Sequence, residues 1–154
     1  MIENLKKLEN LINSELTSKI QSSFIANDEL SIEINENDLI EIIQFLKSNE
    51  KCKFRQLIDI AGVDYPNEEK RFKLVYLFLS HENNCRIKIS INFQPKQIIN
   101  SITKIFPAAN WMEREVFDMY GIKFKNHPDL RRILTDYGFK GHPLRKDFPL
   151  TGFN

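Results

Sequence analysis

Hydrophobic and polar residues alternate in helical and strand-like patterns through the first fifty residues. Apolar side chains recur every three or four positions over residues 3–20, which predicts an amphipathic helix. Weaker alternation over residues 22–34 predicts two short strands separated by a turn. A second helical stripe over residues 39–46 predicts a second helix, and Asn35 is placed to cap its N-terminus.

The middle of the chain predicts three further strands and a short helix. Residues 52–63 have the pattern of the first of these strands. Residues 71–80 are apolar on both faces, so both faces of that strand are expected to be buried. Residues 85–93 alternate apolar with polar side chains, so this strand is expected to have one solvated face, and the polar loop before it predicts a hairpin. Residues 101–106 predict a short helix that Pro107 ends.

The segment from Trp111 to Pro149 begins as a charged helix and continues as an irregular chain rich in glycine and proline. Asn110 and Glu113 are spaced as an N-terminal capping box, and Gly121 is placed to end the helix in the left-handed conformation. Beyond Gly121, apolar side chains continue among the turn residues. A loop of this length and apolar content is expected to be functional or held in place, rather than disordered.

This order of elements predicts an α+β fold. We expect two layers, in which a mixed β-sheet is covered by helices, with an extended irregular C-terminal segment. One structural domain is expected overall, with an α/β body at residues 1–110 and a charged helix plus docking tail at residues 111–154.

Charge is unevenly distributed, although the 154 residues carry a formal net charge of only +1. Residues 1–50 contain four Lys and ten Asp or Glu, whereas residues 123–154 contain seven Lys or Arg and three Asp. The basic tail is therefore expected to dock on the acidic half of the chain or on an acidic partner. A small nucleic-acid-binding protein that uses this tail is an alternative of another class, although Asp129 and Asp136 interrupt the basic patch.

No residue pattern points to a catalytic, cofactor-binding or metal site. Cys52 and Cys85 form no CxxC pair, and the sequence has no glycine-rich phosphate-binding loop. His127 and His142 each precede proline without a nucleophile pattern, so they are expected to pack in tight turns. No apolar run reaches the ~20 residues that cross a bilayer, and no signal or transit peptide is expected.

The acidic residues of the charged helix are expected to have structural roles. Glu113 and Glu115 are predicted to lie in its first turn, where the helix dipole stabilises anions. Asp118 is predicted to lie in the last turn, where the dipole disfavours it. It therefore needs a cation from outside the helix, and Arg131 or Arg132 is expected to supply it.

Three motifs of the last segment together resemble a known family. The helix contains Glu-Arg-Glu followed by Asp118, Tyr120 and Gly121. His-Pro-Asp-Leu-Arg-Arg-Ile-Leu follows at residues 127–134, and Gly-His-Pro-Leu-Arg-Lys-Asp-Phe-Pro at residues 141–149. The pattern resembles the 30 kDa subunit, also called the C subunit, of the proton-pumping NADH-quinone oxidoreductase, respiratory complex I. Weaker matches upstream, at residues 54–66 and 71–80, extend it.

The resemblance implies a cofactor-free, non-catalytic subunit of the peripheral arm of complex I. In that complex FMN and iron–sulfur clusters lie in other subunits, and electron transfer from NADH to quinone drives proton translocation. The implied partners are the quinone-site subunit and other peripheral-arm subunits, with no nucleic acid and with indirect membrane association. The implied location is the cytoplasmic face of the bacterial inner membrane or, for an organelle-encoded chain, the matrix side of the mitochondrial inner membrane.

The equivalent subunit of a membrane-bound hydrogenase or of another complex I relative is the alternative within this class. The residues expected to carry the family signature and to dock on partners are Glu113, Arg114, Glu115, Asp118, His127, Pro128, Arg131, Arg132, Tyr137, His142, Arg145, Lys146, Asp147 and Phe148.

Overall fold

A computed structural model describes residues 2–153 and shows a mixed α+β architecture. The helices are α1 (Ile2–Glu15), α2 (Leu39–Ser48) and α3 (Ala109–Tyr120). The strands are β1 (Ile20–Ala26), β2 (Glu29–Ile34), β3 (Gln56–Asp64), β4 (Phe72–Ser80), β5 (Cys85–Phe93), β6 (Ile99–Asn100) and β7 (Phe124–Lys125). Short 3-10 helices lie at Thr17–Lys19 and Glu36–Asp38. The predicted fold class is confirmed.

The larger sheet has five strands in the order β1-β2-β5-β4-β3. β1 and β2 pair antiparallel through a turn in which Asn27 and Asp28 have φ values of 52° and 59°, as tight hairpin turns require. β2 and β5 pair parallel, with Glu29 opposite Arg86. The sheet is therefore mixed, as expected. β6 and β7 form a separate two-stranded parallel sheet.

Burial along β5 follows its sequence alternation, whereas burial along β4 is less complete than expected. On β5 the isoleucines are buried and the residues between them are half-buried or exposed, which confirms one solvated face. On β4 every second residue from Phe72 to Ser80 is buried, but Val75, Leu77 and Leu79 are only half-buried. The second face of β4 thus keeps some accessible apolar surface, and the prediction of two buried faces was wrong.

Tertiary contacts divide the chain into two compact units. Unit 1 comprises residues 1–59 and 75–91, and unit 2 comprises residues 60–74 and 92–154. In unit 1, α1 contacts β1 and β2 and buries Leu5, Leu8 and Ile12, so a helical layer covers strands of the sheet. Unit 2 contains α3, the β6-β7 pair and the irregular C-terminal segment, which together hold the candidate functional residues.

The first two predicted helices begin or end at other residues than expected. α1 ends at Glu15, not at residue 20, because the hydroxyls of Ser14 and Thr17 bond to carbonyls of its last turns and favour termination. Asn35 does not cap α2 with its side chain, since the Glu36–Asp38 3-10 helix intervenes. Its side-chain oxygen instead accepts a hydrogen bond from Gln21.

Two later predictions also differ from the structure. The strand predicted at 52–63 is β3, which begins at Gln56. Residues 101–106 form a single turn, in which the amides of Ile105 and Phe106 both donate to the carbonyl of Ile102, rather than a helix. The amide of Ser101 donates to the carbonyl of Lys125, which continues the pairing of β6 with β7.

Candidate functional site

Helix α3 begins earlier than its sequence suggested. The amides of Ala109 and Asn110 donate to the carbonyls of Phe106 and Pro107, so the preceding turn supplies the first partners of the helix. Asn110 therefore lies inside α3 and caps nothing, and the predicted capping box with Glu113 is wrong. Gly121 ends the helix with φ of 76°, which confirms its left-handed C-terminal position.

Asp118, on the last turn of α3, organises the irregular chain that follows. Its side chain is fully buried. Oδ1 accepts hydrogen bonds from Arg132 Nε at 2.5 Å and from the Thr135 hydroxyl at 2.7 Å. Oδ2 accepts from the amides of Ile133, Leu134 and Thr135 at 3.1, 2.7 and 2.9 Å. The Asp118 carboxylate thus fixes the backbone of residues 133–135 at the C-terminal end of α3. Without these partners, its negative charge would be destabilised by the helix dipole.

Arg132 extends this arrangement to the following turn. Its Nη1 donates to the carbonyl of Phe139 at 2.8 Å, its Nη2 donates to the carbonyl of Gly141, and its guanidinium lies 5.5 Å from the Phe139 ring centre. His142 Nδ1 lies 2.9 Å from the carbonyl oxygen of Asp118. We call Asp118, Arg132, Thr135 and His142 the Asp118 cluster.

Electrostatics agree with an ionised Asp118. Burial opposes its ionisation, but the hydrogen bonds from Thr135, Arg132 and the backbone amides together hold the pKa of this carboxyl well below its usual range. The hypothesis that a tail arginine pairs with Asp118 is thus confirmed for Arg132. Arg131 instead forms an exposed pair with Asp129 at 2.7 Å.

Arg114, one turn earlier on α3, binds backbone rather than a carboxylate. Its Nε and Nη2 donate to the carbonyls of Arg131 and Arg132 at 3.0 and 3.2 Å. The amide of Leu144 donates to the carbonyl of Met119 at 3.1 Å. The tail, defined as residues 127–149, is therefore attached to α3 at several separate points.

A second carboxylate attaches the later part of the tail. Arg71 binds Asp64 through two hydrogen bonds, of 2.6 Å from Nε and 2.8 Å from Nη2, and its Nη1 lies 3.1 Å from Asp147. The amide of Lys146 donates to Asp64 at 2.7 Å. The hydrogen bonds from Arg71 lower the pKa of Asp64. Arg145 lies over the ring of Phe72, 5.5 Å from its centre.

The predicted dipole role of Glu113 and Glu115 is wrong, because α3 begins at Ala109 and has no acidic residue in its first turn. Glu113 is instead buried. Its carboxyl accepts hydrogen bonds from the Ser101 hydroxyl at 2.6 Å and from the Ile102 amide at 2.8 Å. Burial, partly offset by these two hydrogen bonds, raises its pKa to about 7. Glu113 thus fixes the turn after β6. Glu115 is exposed.

His127 packs in a tight turn, as predicted, and its hydrogen bonds define one tautomer. The amide of Asp129 donates to Nδ1 at 3.0 Å, so the proton lies on Nε2, which donates to the Asn110 carbonyl at 2.9 Å. Nε2 is 3.9 Å from Glu113 Oε2, and both side chains are fully buried. Both ring nitrogens therefore have hydrogen-bond partners.

Several other tail residues are exposed. Tyr137 is fully exposed and Leu134 is 62% exposed, although the Leu134 amide is held by Asp118. Phe148 is half-buried between Phe139, at a ring distance of 6.0 Å, and Phe153, at 5.5 Å. The exposed residues of the predicted set are Glu115, Pro128, Arg131, Tyr137, Lys146 and Asp147.

Sequence patterns did not reveal the partners that the carboxylates use. Thr135 and Ser101 had no predicted role, and Asp64 and Arg71 were only weak motif positions. The available signal for the last two was their position on either side of a turn, where β3 ends and β4 begins. Because β3 and β4 are neighbours in the sheet, the end of one strand lies beside the start of the other, and Asp64 and Arg71 can pair there.

The described residues define a class: an α+β protein whose irregular tail is held by hydrogen bonds to α3 and to Asp64. Within residues 2–153 no three His, Cys, Asp or Glu side chains group as metal ligands. No α-helix in the same range is long and apolar enough to span a membrane.

Comparisons with known proteins identify the family. The model of the "Respiratory-chain NADH dehydrogenase, 30 Kd subunit" family matches residues 32–154, and the chain belongs to this family. The C subunit of the NADH-quinone oxidoreductase of Chelativorans sp. (strain BNC1) is 50% identical over 99% of this chain and 76% of that protein. The corresponding protein of Rhodospirillum rubrum is 47% identical over 99% of this chain and 71% of that protein.

A solved structure shows the same fold. One chain of the membrane-bound sulfane sulfur reductase, an archaeal respiratory membrane complex, matches with a TM-score of 0.81. The match covers 94% of this chain and 85% of that chain at 22% sequence identity. This likeness concerns the fold alone.

Proposed function

We propose that this chain is the non-catalytic 30 kDa subunit of the peripheral arm of a proton-translocating NADH-quinone oxidoreductase. Family membership over residues 32–154 and the names of relatives at 47–50% identity support the proposal. The chain itself binds no cofactor, whereas FMN and iron–sulfur clusters belong to other subunits. It associates with the membrane indirectly, on the cytoplasmic face or, for an organelle-encoded chain, the matrix side.

The observation that carries the docking role is an ordered tail with exposed apolar side chains. Asp118 fixes the backbone at Leu134, while the Leu134 side chain is 62% exposed and Tyr137 is fully exposed. A surface that is already ordered loses little conformational entropy when it binds. Large exposed aromatic residues and arginines are the usual anchors of protein interfaces. We propose that the tail binds the quinone-site subunit and helps hold the arm together.

The buried ionisable groups of unit 2 support a structural rather than catalytic role. The Asp118 carboxylate accepts five hydrogen bonds and is a poor base because of its lowered pKa. Glu113 has a raised pKa, but its side chain is fully buried. Neither carboxyl is exposed to a substrate.

The charges of the tail argue against the nucleic-acid alternative. Three tail arginines each bind a carboxylate of this chain, which reduces the positive potential available to phosphates. These pairs are Arg131 with Asp129, Arg132 with Asp118, and Arg145 with Asp147.

Substitution of the exposed tail residues tests the proposal. In a strain whose only copy carries Leu134→Ser and Tyr137→Ser, we expect the amount of assembled complex in native gels to fall several-fold. Circular dichroism of the purified chain is expected to be unchanged, because neither side chain is buried. Inhibitor-sensitive NADH-quinone activity per assembled complex should stay at the parental value.

Phe24→Ser is the matched control, since Phe24 is an exposed aromatic residue of unit 1, at 58%. It should leave the amount of complex unchanged. Normal assembly of the double variant would contradict the docking role. Normal assembly with reduced turnover would contradict the non-catalytic assignment.

A further inference from the structure

A groove in unit 1 runs between α1 and the turn that joins β4 to β5. It has a volume of about 740 Å³, within the range of pockets that hold a ligand or a short peptide segment. Leu8 and Leu11 from α1 and Cys85 from β5 give it an apolar floor. Leu8 and Cys85 are themselves almost fully buried, so the floor belongs to the packed core.

The walls of the groove carry amide side chains. Asn4 and Asn10 lie on α1, and Asn83 lies in the β4–β5 turn. The Asn83 amide nitrogen donates to the carbonyls of Lys51 and Cys52 at 2.9 and 3.0 Å, which fixes the orientation of its side chain. Carboxamides donate and accept hydrogen bonds, as the backbone of an extended peptide does. A hydrocarbon chain would cover the exposed amides of Asn4 and Asn10 without pairing them, which is unfavourable.

The groove is positively charged, although the surrounding sequence is acidic. Lys7 and Lys51 line it. The acidic residue that also lines it, Glu82, is bound by Lys53 at 2.5 Å and by Arg55 at 2.8 Å. Residues 1–50 as a whole contain four Lys and ten Asp or Glu. Positive charge is thus concentrated at one place in an acidic region, which is complementary to an anionic occupant.

We propose that this groove binds an extended acidic segment of a neighbouring subunit. The inference rests on the proposed function, which places the chain in a multisubunit complex. The carboxylates of that segment bind Lys7 and Lys51, its backbone pairs with the amide side chains, and an apolar residue covers the leucine floor. The exposed ion pair of Lys7 with Glu3, at 3.7 Å, is weak enough to be exchanged for a partner carboxylate.

Photo-crosslinking within the assembled complex tests the proposal. A photoreactive benzoylphenylalanine replaces Leu11 in the groove or, as the control, Lys6, which is exposed on α1 outside the groove. Illumination is expected to join position 11, but not position 6, to one other subunit. Mass spectrometry should place the joined peptide in a segment of net negative charge.

Charge reversal then tests the role of the lysines. Lys7→Glu with Lys51→Glu is expected to reduce the cross-link several-fold, whereas Lys6→Glu with Lys70→Glu, which changes the net charge equally, should not. A lipid adduct, a cross-link to a neutral or basic segment, or no cross-link in a complex of normal activity would overturn the inference and leave the proposed function standing. Full NADH-quinone activity in a complex that lacks this chain would overturn both.

Discussion

Replacing Asp118 with Asn is expected to destabilise the purified chain by about 3 kcal/mol. The parent carboxylate is fully buried and accepts five hydrogen bonds, from Arg132, Thr135 and the amides of residues 133–135. An asparagine has one oxygen in place of two, so either the amides or Arg132 must face its NH2 group. Arg132, which is 27% exposed, then keeps a charge without a counter-ion.

The interaction between the two side chains is measured by a double-mutant cycle. Arg132→Gln is expected to cost about 2 kcal/mol, since it also removes the bonds to the carbonyls of Phe139 and Gly141. The coupling energy between Asp118→Asn and Arg132→Gln should be about 1–2 kcal/mol, which is between the values for exposed and for fully buried pairs. Urea unfolding followed by circular dichroism gives each free energy.

Asp129 and Arg131 provide a matched control, because they form the same type of ion pair beside the first. Their side chains are 48% and 71% exposed, and solvent screening should leave no measurable coupling between them. A coupling below about 0.5 kcal/mol for Asp118 and Arg132 would refute the reasoning, because distant, independent sites show deviations of that size.

The same cycle has a predicted pH dependence. The pKa of Asp118 is lowered in the folded chain, so its contribution is complete above the unfolded pKa of about 3.9. The contribution should shrink as the pH falls below that value and be lost as the pH falls through the lowered pKa of the folded chain. The stability difference between parent and Asp118→Asn is therefore expected to be constant near neutral pH and to shrink in acid. A difference that grows in acid would contradict this assignment.

Two further predictions concern unit 2. The Glu113→Gln variant should gain stability relative to the parent as the pH rises from about 4.3 to 7, because the raised pKa of Glu113 makes its ionisation costly in the folded chain. Urea unfolding should show a gain of at most about 1.4 kcal/mol per pH unit. A stability difference that does not change with pH would contradict this prediction. Gly62→Ala should cost about 1–3 kcal/mol, since a Cβ there would lie 2.6 Å from the Tyr120 ring. Thermal unfolding measures this cost, and an unchanged Tm would contradict it.

The hydrophobic pattern determined most of the fold class. Strict alternation at residues 85–93 predicted β5 and its solvated face, and the turn residues before Glu29 predicted the β1-β2 hairpin. These features depend on neighbours in sequence, so a single chain reveals them. The helix predicted at 101–106 was wrong, and contacts distant in sequence hold this segment: the amide of Ser101 donates to the carbonyl of Lys125.

The sequence alone also determined that Asp118 needs a cation, because a carboxylate at a helix C-terminus is unfavourable in any fold. Tertiary structure decided which arginine supplies it. Arg131 and Arg132 are adjacent and chemically identical, and only the path of the backbone directs Arg132 to Asp118 and Arg131 to Asp129. The burial of Glu113 was likewise decided by packing, since its position in sequence suits a solvated first turn equally well. Local chemistry states which groups need partners, whereas the three-dimensional path of the chain brings the partners within hydrogen-bonding distance.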